Sequence, residues 1–590
     1  MKFHEYKGLD LVATGNEVLD RWRKNHAFEK SLELREGAPE FIFFEGPPSA
    51  NGMPGIHHVM ARSIKDAICR YKTQSGYKVN RRAGWDTHGL PVELGVEKML
   101  GITKEDIGTK ISVEEYNDAC RKEVMKYTAE WVNMTERVGY WVDMNDPYIT
   151  YDNRYIETLW HLLKKIYDKG LLYKGKSIQP YSPAAGTGLS THELNQPGCY
   201  RDVKDTTAVA QFAVVRDEKS EFLFSEGVPA YILAWTTTPW TLPSNTALCV
   251  GPNIDYVRVL SFNPYTGQPA LYVVAQALVG AHFNAKAADI AFEDYKPGDK
   301  LVPFKVLDGT MKGTDLTGIS YEQLIPWFNP GEGAFRVIPG DYVTTEDGTG
   351  IVHIAPTFGA DDAKVARLAG VPGLQVIDRN GDLQAQVDLK GRFFRVEDLD
   401  PEYAAANMSE SYKEWAGRYV KNVYDASLPA DAPTLDVDIC VMLKQENKAF
   451  RIEKHTHNYP HCWRTDKPVL YYPLNSWFIK TTAVRERMME LNGQIMWKPE
   501  STGTGRFGKW LENIQDWNLS RSRYWGTPLP IWQTEDGKEA KCIGSIAELY
   551  AEIDKAVEAG FMTENPFAAK GFDPKDMSKE NYDKIDIHRP

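Results

Sequence analysis

The texture of this 590-residue chain changes twice, and those changes constrain its fold more than any single motif does. Up to about residue 180, short apolar runs alternate with stretches of helical periodicity. Residues 41–44 (FIFF) read as a strand, 55–71 as a helix, and 155–174 as a second helix with an apolar stripe. From about Thr206 the chain turns into short β-branched and aromatic runs (TTAVAQFAVV, AYILAWTTT, YVRVLSF, ALYVVAQA) separated by Gly, Pro and Asp. That is the pattern of a β-rich module. Residues 398–430 read as helical, and after about Ile439 the aromatic α/β texture returns. The order describes an α/β domain interrupted by a β-rich insertion. The expected divisions are 1–194 for the N-terminal segment and first half of the α/β domain, 195–435 for the insertion, and 436–590 for the return. The closing DKIDIHRP has neither a cap nor a closing element, so the chain is expected to stop in mid-domain.

A chain of this length exceeds what one core can hold, which agrees with several domains. The formal net charge of −12 argues against a generally basic, nucleic-acid-coating surface, although a local basic patch suffices for phosphate contacts. The seven cysteines are scattered, with no C-x-x-C pair, which suits a reducing cytosol rather than a disulfide framework. The N-terminal stretch has no continuous apolar run of the signal-peptide kind, and no run of 18 apolar residues occurs anywhere. The expectation is a soluble cytoplasmic protein without a membrane segment.

Three segments carry the nucleotide chemistry. Residues 41–66 (FIFFEGPPSANGMPGIHHVMARSIKD) read as strand, Pro/Gly loop and helix, with Ile56, Val59, Met60, Ile64, Ala67 and Ile68 on one helical face. A helix N-terminus after such a loop can hold a phosphate on its free N–H groups, and histidines there can add donors; equally, such loops merely turn the chain. Residues 84–93 (GWDTHGLPVE) and 518–532 (NLSRSRYWGTPLPIW) would, in an arbitrary protein, be a turn with a buried Trp and a piece of core.

Together these segments resemble class I aminoacyl-tRNA synthetases of the isoleucine type. The resemblance implies a Rossmann-type nucleotide-binding domain interrupted by a β-rich editing (CP1) domain. In that family the helix opens with His-x-Gly-His; here the order is Gly-Ile-His-His, with Gly55 at the first His position, His57 at the Gly position and His58 at the second His. The resemblance makes Gly55, His57 and His58 the ATP site, with His57 and His58 catalytic and His57 supplying a donor from a shifted position. A slow or inactive site is the other reading of the exchange. Asp86 would pair with the substrate ammonium and orient the amino acid for attack on the α-phosphorus. Pro47 and Trp525 would form apolar walls for a branched side chain.

An apolar pocket cannot strongly reject a side chain one methylene smaller, and isoleucine against valine in this enzyme type is a known example, at about 150-fold. A second, hydrolytic site is therefore expected. Residues 235–247 (WTTTPWTLPSNTA) and 348–362 (GTGIVHIAPTFGADD) resemble that editing site, although three threonines on a strand and paired surface acids are their commoner meanings. The likeness gives Thr236, Thr237 and Thr238 the terminal ribose and carbonyl of misacylated tRNA, with Asn245 nearby. It places His353 on the wall that excludes isoleucine and Asp362 on the α-ammonium. The T-T-T-P-W run favours isoleucine over valine- and leucine-type relatives, which carry T-T-R-P.

Many relatives bind zinc through two Cys pairs, whose positions here are Ser182 and Ala185, then Cys462 and Thr465; with one ligand of four, no zinc is expected. This pattern resembles the eukaryotic-like branch of the family. The implied substrates are isoleucine, ATP with Mg²⁺, and tRNA(Ile), and a monomer is expected. The Lys-Met-Ser-Lys-Ser-type loop and helical anticodon-binding domain of the family do not occur in these residues. The alternatives are a valyl or leucyl relative and a non-catalytic tRNA-binding paralogue.

Overall fold

The computed structural model describes residues 8–429, 432–535 and 537–589. The chain divides into two compact units. One runs to Tyr173 and includes Ile479–Trp517 and the chain from Arg523 onward; the other is Lys174–Phe478 with Asn518–Ser522. Residues 195–435 lie within the second unit.

In the first unit, α1 (Ile56–Gln74), α2 (Leu90–Leu100), α3 (Val113–Val124) and α4 (Asn153–Asp168) accompany a parallel pair, β1 (Arg82–Trp85) and β2 (Asp143–Ile149). The 41–44 segment is not a strand. It runs without strand pairing between two parallel bridges, Glu40–Lys78 before β1 and Ser49–Asp86 after it, with the Phe41 N–H on the Lys78 carbonyl. Pro47 and Pro48 have no N–H to continue a ladder. Ile42 and Phe44 are 70% and 91% exposed. The apolar stripe of α1 is likewise open, with Ile56 80% and Met60 63% exposed, whereas the face that α1 buries carries Arg62, Cys69 and Thr73.

The second helix of the sequence reading ends earlier than its periodicity suggests. Helix α4 stops at Asp168, and Gly170, at φ +67°, reverses the chain into a strand over Leu172–Ser182. A left-handed residue after the last turn is a standard helix stop, and glycine adopts it without strain. Ala50, Trp85 and Trp131 form one core of this unit, and two more join its helices. Val92, Val96, Tyr116, Cys120 and Val124 of α2 and α3 pack with Trp525, and Ile156 and Trp160 of α4 pack with Ile546 and Leu549 of the helix Ile546–Glu558.

The largest sheet of the second unit has ten strands. They are β3 (Tyr200–Ala213), β4 (Ala230–Thr236), β5 (Ala247–Val250), β6 (Asp255–Phe262), β7 (Pro269–Ala275), β8 (Phe304–Val306), β9 (Met311–Lys312), β10 (Arg336–Pro339), β11 (Ile351–Ile354) and β12 (Ala449–Pro460). Each β-rich run of the sequence reading supplies one of these. The path is β8-β6-β7-β4-β11-β5-β10; β9 joins β6, and β3 pairs with both β4 and β12. All four residues of β5 are buried, as a central strand covered on both faces requires. Two helices matter for the site: α5 (Ala360–Ala369), which follows β11, and α6 (Leu435–Gln445).

The 398–430 stretch is helical only over Pro401–Asn407, with 3-10 turns at Val396–Asp398, Glu410–Glu414 and Asn422–Tyr424; Ala430 lies outside the described residues. Tertiary packing overrides helical propensity here: Trp327, Phe393, Tyr412 and Trp415 form one ring cluster that fixes the turns. Truncating a fully buried side chain of β4, Leu233→Ala, is expected to cost about 2–5 kcal/mol, read from denaturant unfolding of the protein.

Candidate functional site

Strands β4 and β11 are parallel neighbours, with Val352 opposite Trp235. Their carboxyl ends therefore open on the same side, where ligands of parallel sheets usually sit. Strand β4 ends on Thr236, and the chain leaving it carries Thr237 and Thr238; the chain leaving β11 turns through Ala355 to Gly359 into α5, whose first turn holds Asp362. Between them lies a cavity of about 360 Å³, lined by all three threonines, His353 and Asp362.

His353 is buried and fully wired. Its Nδ1 takes the Asn245 amide at 3.2 Å, while Nε2 stands 2.9 Å from the Thr241 hydroxyl, which itself donates to the Thr238 carbonyl at 2.8 Å. Since Nδ1 accepts, the proton sits on Nε2 and the ring is neutral; burial lowers its pKa to about 4. The Asn245 carbonyl oxygen accepts from the Tyr321 hydroxyl at 2.7 Å. Asn245 thus stands behind His353 and does not line the cavity. The Thr236 hydroxyl oxygen accepts from the Thr238 N–H at 3.1 Å, which ties the threonine turn to itself.

Two carboxylates line this cavity, Asp347 and Asp362, and the Asp362 side chain is the one the sequence motif singles out. The Asp362 carboxylate accepts the Ala355 N–H at 2.8 Å, and burial raises its pKa to about 6. Sequence reasoning missed Thr241, Tyr342 and Phe358 as lining residues. Thr241 lies in the threonine run and was within reach of that reading. Tyr342 gives no local signal, because only the sheet brings it to β11.

The nucleotide corner of the first unit contains a cavity of about 340 Å³ lined by Glu45, Asn51, His58, Arg62, Lys65 and Trp131. His58 Nδ1 accepts the Gly55 N–H at 2.9 Å, which leaves the Nε2 nitrogen as the free face of the ring. Burial, then His57 and Arg62, lower the His58 pKa, so the ring is neutral and its Nε2–H is a donor. Arg62 and Lys65 both face Glu45, at 3.8 and 2.9 Å, and the Trp131 indole fixes the loop by donating to the Gly52 carbonyl at 2.9 Å. His57 and Gly55 do not line this cavity. The His57 ring instead covers Gly55: a Cβ there would lie 2.9 Å from His57 Cε1.

Asp86 donates its N–H to the Pro48 carbonyl and keeps an exposed side chain, although surrounding protein raises its carboxyl pKa. Pro47 lines a small crevice with Glu45, Gly84, Trp85 and Tyr148. Trp525 is fully buried, donates its indole N–H to the Thr87 carbonyl at 2.6 Å, and is not brought together with Pro47.

A sequence profile described as tRNA synthetases class I (I, L, M and V) matches residues 17–587. The chain belongs to this family. Its class I synthetase fold is mixed α/β, and three relatives are bacterial proteins named isoleucine–tRNA ligase. That of Bacteroides fragilis (strain ATCC 25285) is 68% identical over 590 residues, covering 100% of this chain and 51% of that protein. That of Porphyromonas gingivalis is 66% identical, covering 100% and 52%, and that of Cytophaga hutchinsonii is 59% identical, covering 99% and 51%. The chain spans about half the length of the curated relatives it matches. A leucyl-tRNA synthetase of Agrobacterium radiobacter K84, solved in a ternary complex with tRNA and LeuAMS, aligns at a TM-score of 0.32 and 14% identity, covering 90% of this chain and 51% of that one.

Where the resemblance would put zinc ligands, the Ser182 hydroxyl accepts the Ala185 N–H at 3.2 Å, and Cys462 is buried among Leu189, Leu194 and Val469. Among the described residues no helix is long and apolar enough to cross a membrane.

Asp362 and His353, both lining the cavity, act in opposite directions. The raised Asp362 pKa means that its contribution to stability is present below its ordinary value of 3.8 and is lost as pH rises through about 6. The lowered His353 pKa means that its contribution is present above 6.5 and is lost as pH falls through about 4. Carbon-detected NMR titration is expected to find the Asp362 carboxyl changing near pH 6 while the His353 ring stays neutral down to about pH 4. An Asp362 signal already fully ionised at pH 5 would contradict the desolvation argument.

Proposed function

We propose that this chain supplies the nucleotide-binding and editing portions of an isoleucine–tRNA ligase that acts as a cytoplasmic monomer. Isoleucine attacks the α-phosphorus of ATP through its carboxylate and pyrophosphate leaves; a terminal ribose hydroxyl of tRNA(Ile) then attacks the carbonyl of the adenylate, forming the ester and releasing AMP. In the second unit, water hydrolyses the ester of valine joined to that tRNA. The observation that carries the reading is the meeting of Thr236, Thr237, Thr238, His353 and Asp362 around one cavity at the ends of two parallel strands.

The chemistry of these side chains supports each role. Asp362, ionised above about pH 6, suits an α-ammonium, and the threonine hydroxyls suit a ribose and an ester carbonyl. His353 has both ring nitrogens engaged, so it acts as a wall, and its bulk limits the size of the side chain admitted. In the first unit, the neutral Nε2–H of His58 suits a phosphate oxygen of ATP, which comes with Mg²⁺ as substrate. Asp86 suits the amino-acid ammonium and Pro47 a wall of the side-chain region, whereas Trp525, buried under the Asp86 loop, supports that loop and does not face Pro47.

The exchange at 55 and 57 is compatible with this reading because it is compensated in space. The His57 ring fills the volume that a side chain at Gly55 would need, so an imidazole still stands over the helix start. The complete protein is expected to catalyse isoleucine-dependent ATP–pyrophosphate exchange; exchange with leucine or valine in preference to isoleucine would sink the substrate assignment. Gly55→His alone places two rings in one volume and should lower exchange more than the double exchange Gly55→His/His57→Gly does. Asp362→Ala is expected to slow hydrolysis of valyl-tRNA by about 100-fold while sparing exchange, measured by release of labelled valine.

A further inference from the structure

A string of polar side chains in the first unit ends on the loop that carries Asp86, and neither the fold nor the assignments above account for it. Arg121 of α3 meets Asp586 at 3.0 Å, and Asp586 holds His588 Nδ1 at 2.5 Å. The other ring nitrogen of His588 lies 2.9 Å from Nε2 of His88, so one proton is shared between the two rings, whichever ring owns it. The His588 side chain is completely buried and stacks flat on Trp525, with centroids 4.4 Å apart and planes at 8°. Trp525 also receives the edge of His88, at 5.3 Å.

The position of His588 is fixed from below. Asn153, the first residue of α4, donates to the Tyr582 and Ile585 carbonyls at 2.8 and 2.7 Å and accepts the Ile587 N–H at 3.2 Å. Such a buried side chain with three backbone partners sets the path of 582–588 closely. The Asp86 loop is gripped on its other side as well. The Thr87 N–H donates to the Thr150 hydroxyl at 2.9 Å, and the Thr87 carbonyl takes the Trp525 indole. Trp525 is itself seated by Glu93, whose carboxylate accepts the N–H groups of Tyr524 and Trp525 at 2.8 and 2.9 Å.

His88 joins the two ends of this arrangement. Its ring is the last member of the Arg121–Asp586–His588 string, and its backbone stands directly after Thr87, whose N–H and carbonyl are held by Thr150 and Trp525, so that it anchors the loop two residues from Asp86. We propose that His88 and His588 are positioning residues for Asp86, holding the carboxylate at the place where it meets the amino-acid ammonium. This rests on the assignment of Asp86 made above. Neither imidazole touches the reacting atoms; they act by fixing one carboxylate, whose displacement would weaken amino-acid binding and leave the nucleotide contacts at His58 as they are. Burial, then His588 and Arg121, lower the His88 pKa to about 3, so the pair stays a neutral-ring contact on the His88 side throughout the working pH range.

The test is ATP–pyrophosphate exchange by the complete protein carrying His588→Leu or His588→Gln, with KM for isoleucine and for ATP measured separately and folding checked by thermal unfolding. His588→Leu should raise the isoleucine KM about tenfold and leave the ATP KM within about twofold, and His588→Gln, which keeps a polar atom toward His88, should recover most of the loss. A merely cohesive contact predicts lower thermal stability with both KM values intact or raised together, and either result overturns the proposal. If His588→Leu fails to fold, the isosteric Asp586→Asn reads the same string, with an expected rise of about threefold in the isoleucine KM; an unchanged value there overturns the proposal too. A wild-type protein without isoleucine-dependent exchange overturns the functional reading and this role with it, whereas wild-type exchange with unmoved variants overturns the positioning role alone.

Discussion

The parallel pairing of β4 with β11 is the constraint on which the second unit depends. A single matched pair, Trp235 with Val352, fixes the register, and a slip of one residue would turn His353 from the cavity to the other face of the sheet. The antiparallel match of β11 to β5 then sets His353 opposite Leu248, in a strand with no exposed residue. Outside the carboxyl ends, the 3-10 helix Pro239–Ser244 is tied back by Asp436 of α6, whose carboxylate accepts the Trp240 N–H at 2.9 Å. Lys421 lies 3.7 Å from that carboxylate and 3.2 Å from Asp205 of β3, so the charge holding the threonine turn is compensated within the sheet's own layer. Trp240 in turn packs its edge on Phe358, which lines the cavity. The cavity wall is therefore an extension of the sheet and not a free loop.

Much of the second unit was legible in the sequence because its strands are local signals. TTAVAQFAVV, AYILAWTTT, YVRVLSF and ALYVVAQA each have the composition that a pleated, buried surface demands. Their order in the sheet was not legible, since β4 pairs with β11 across more than a hundred residues and no local pattern encodes that choice. In the first unit, the periodicity of α1 identified a helix, but its apolar stripe did not identify the buried face. Arg62 is buried, stacked near Trp131 and Tyr140 and facing Glu45, while Ile56 and Met60 are open. Aromatic rings and a carboxylate can bury an arginine at a site where helical patterning alone predicts solvent. The candidate residues show the same division. Thr236 to Thr238, His353 and Asp362 converge as their motifs imply, whereas Asn245 stands behind the wall and Trp525 lies under the Asp86 loop. Motif membership names residues near a site; only the backbone path decides which of them face it.

Three histidines at or beside the two sites illustrate how hydrogen bonding sets what an imidazole can do. Each is neutral, because burial opposes the charged form. His58 spends one nitrogen on the Gly55 N–H, which satisfies a donor that the helix start leaves orphaned, and so its remaining nitrogen must be an N–H donor facing the cavity. His353 spends both nitrogens, on Asn245 and Thr241, and is left with shape alone. His88 spends Nε2 on His588 and sets its ring edge against Trp525, and so serves as a support. The same side chain thus serves as donor, wall and support, and the partner on its second nitrogen decides which. On that basis Gly55 has a use beyond making room for His57. Its N–H, exposed by an extended backbone at φ −106°, is the group that fixes the His58 tautomer. A side chain at position 55 would meet the His57 ring and shift that N–H, so the identity of residue 55 reaches the phosphate donor through residue 58.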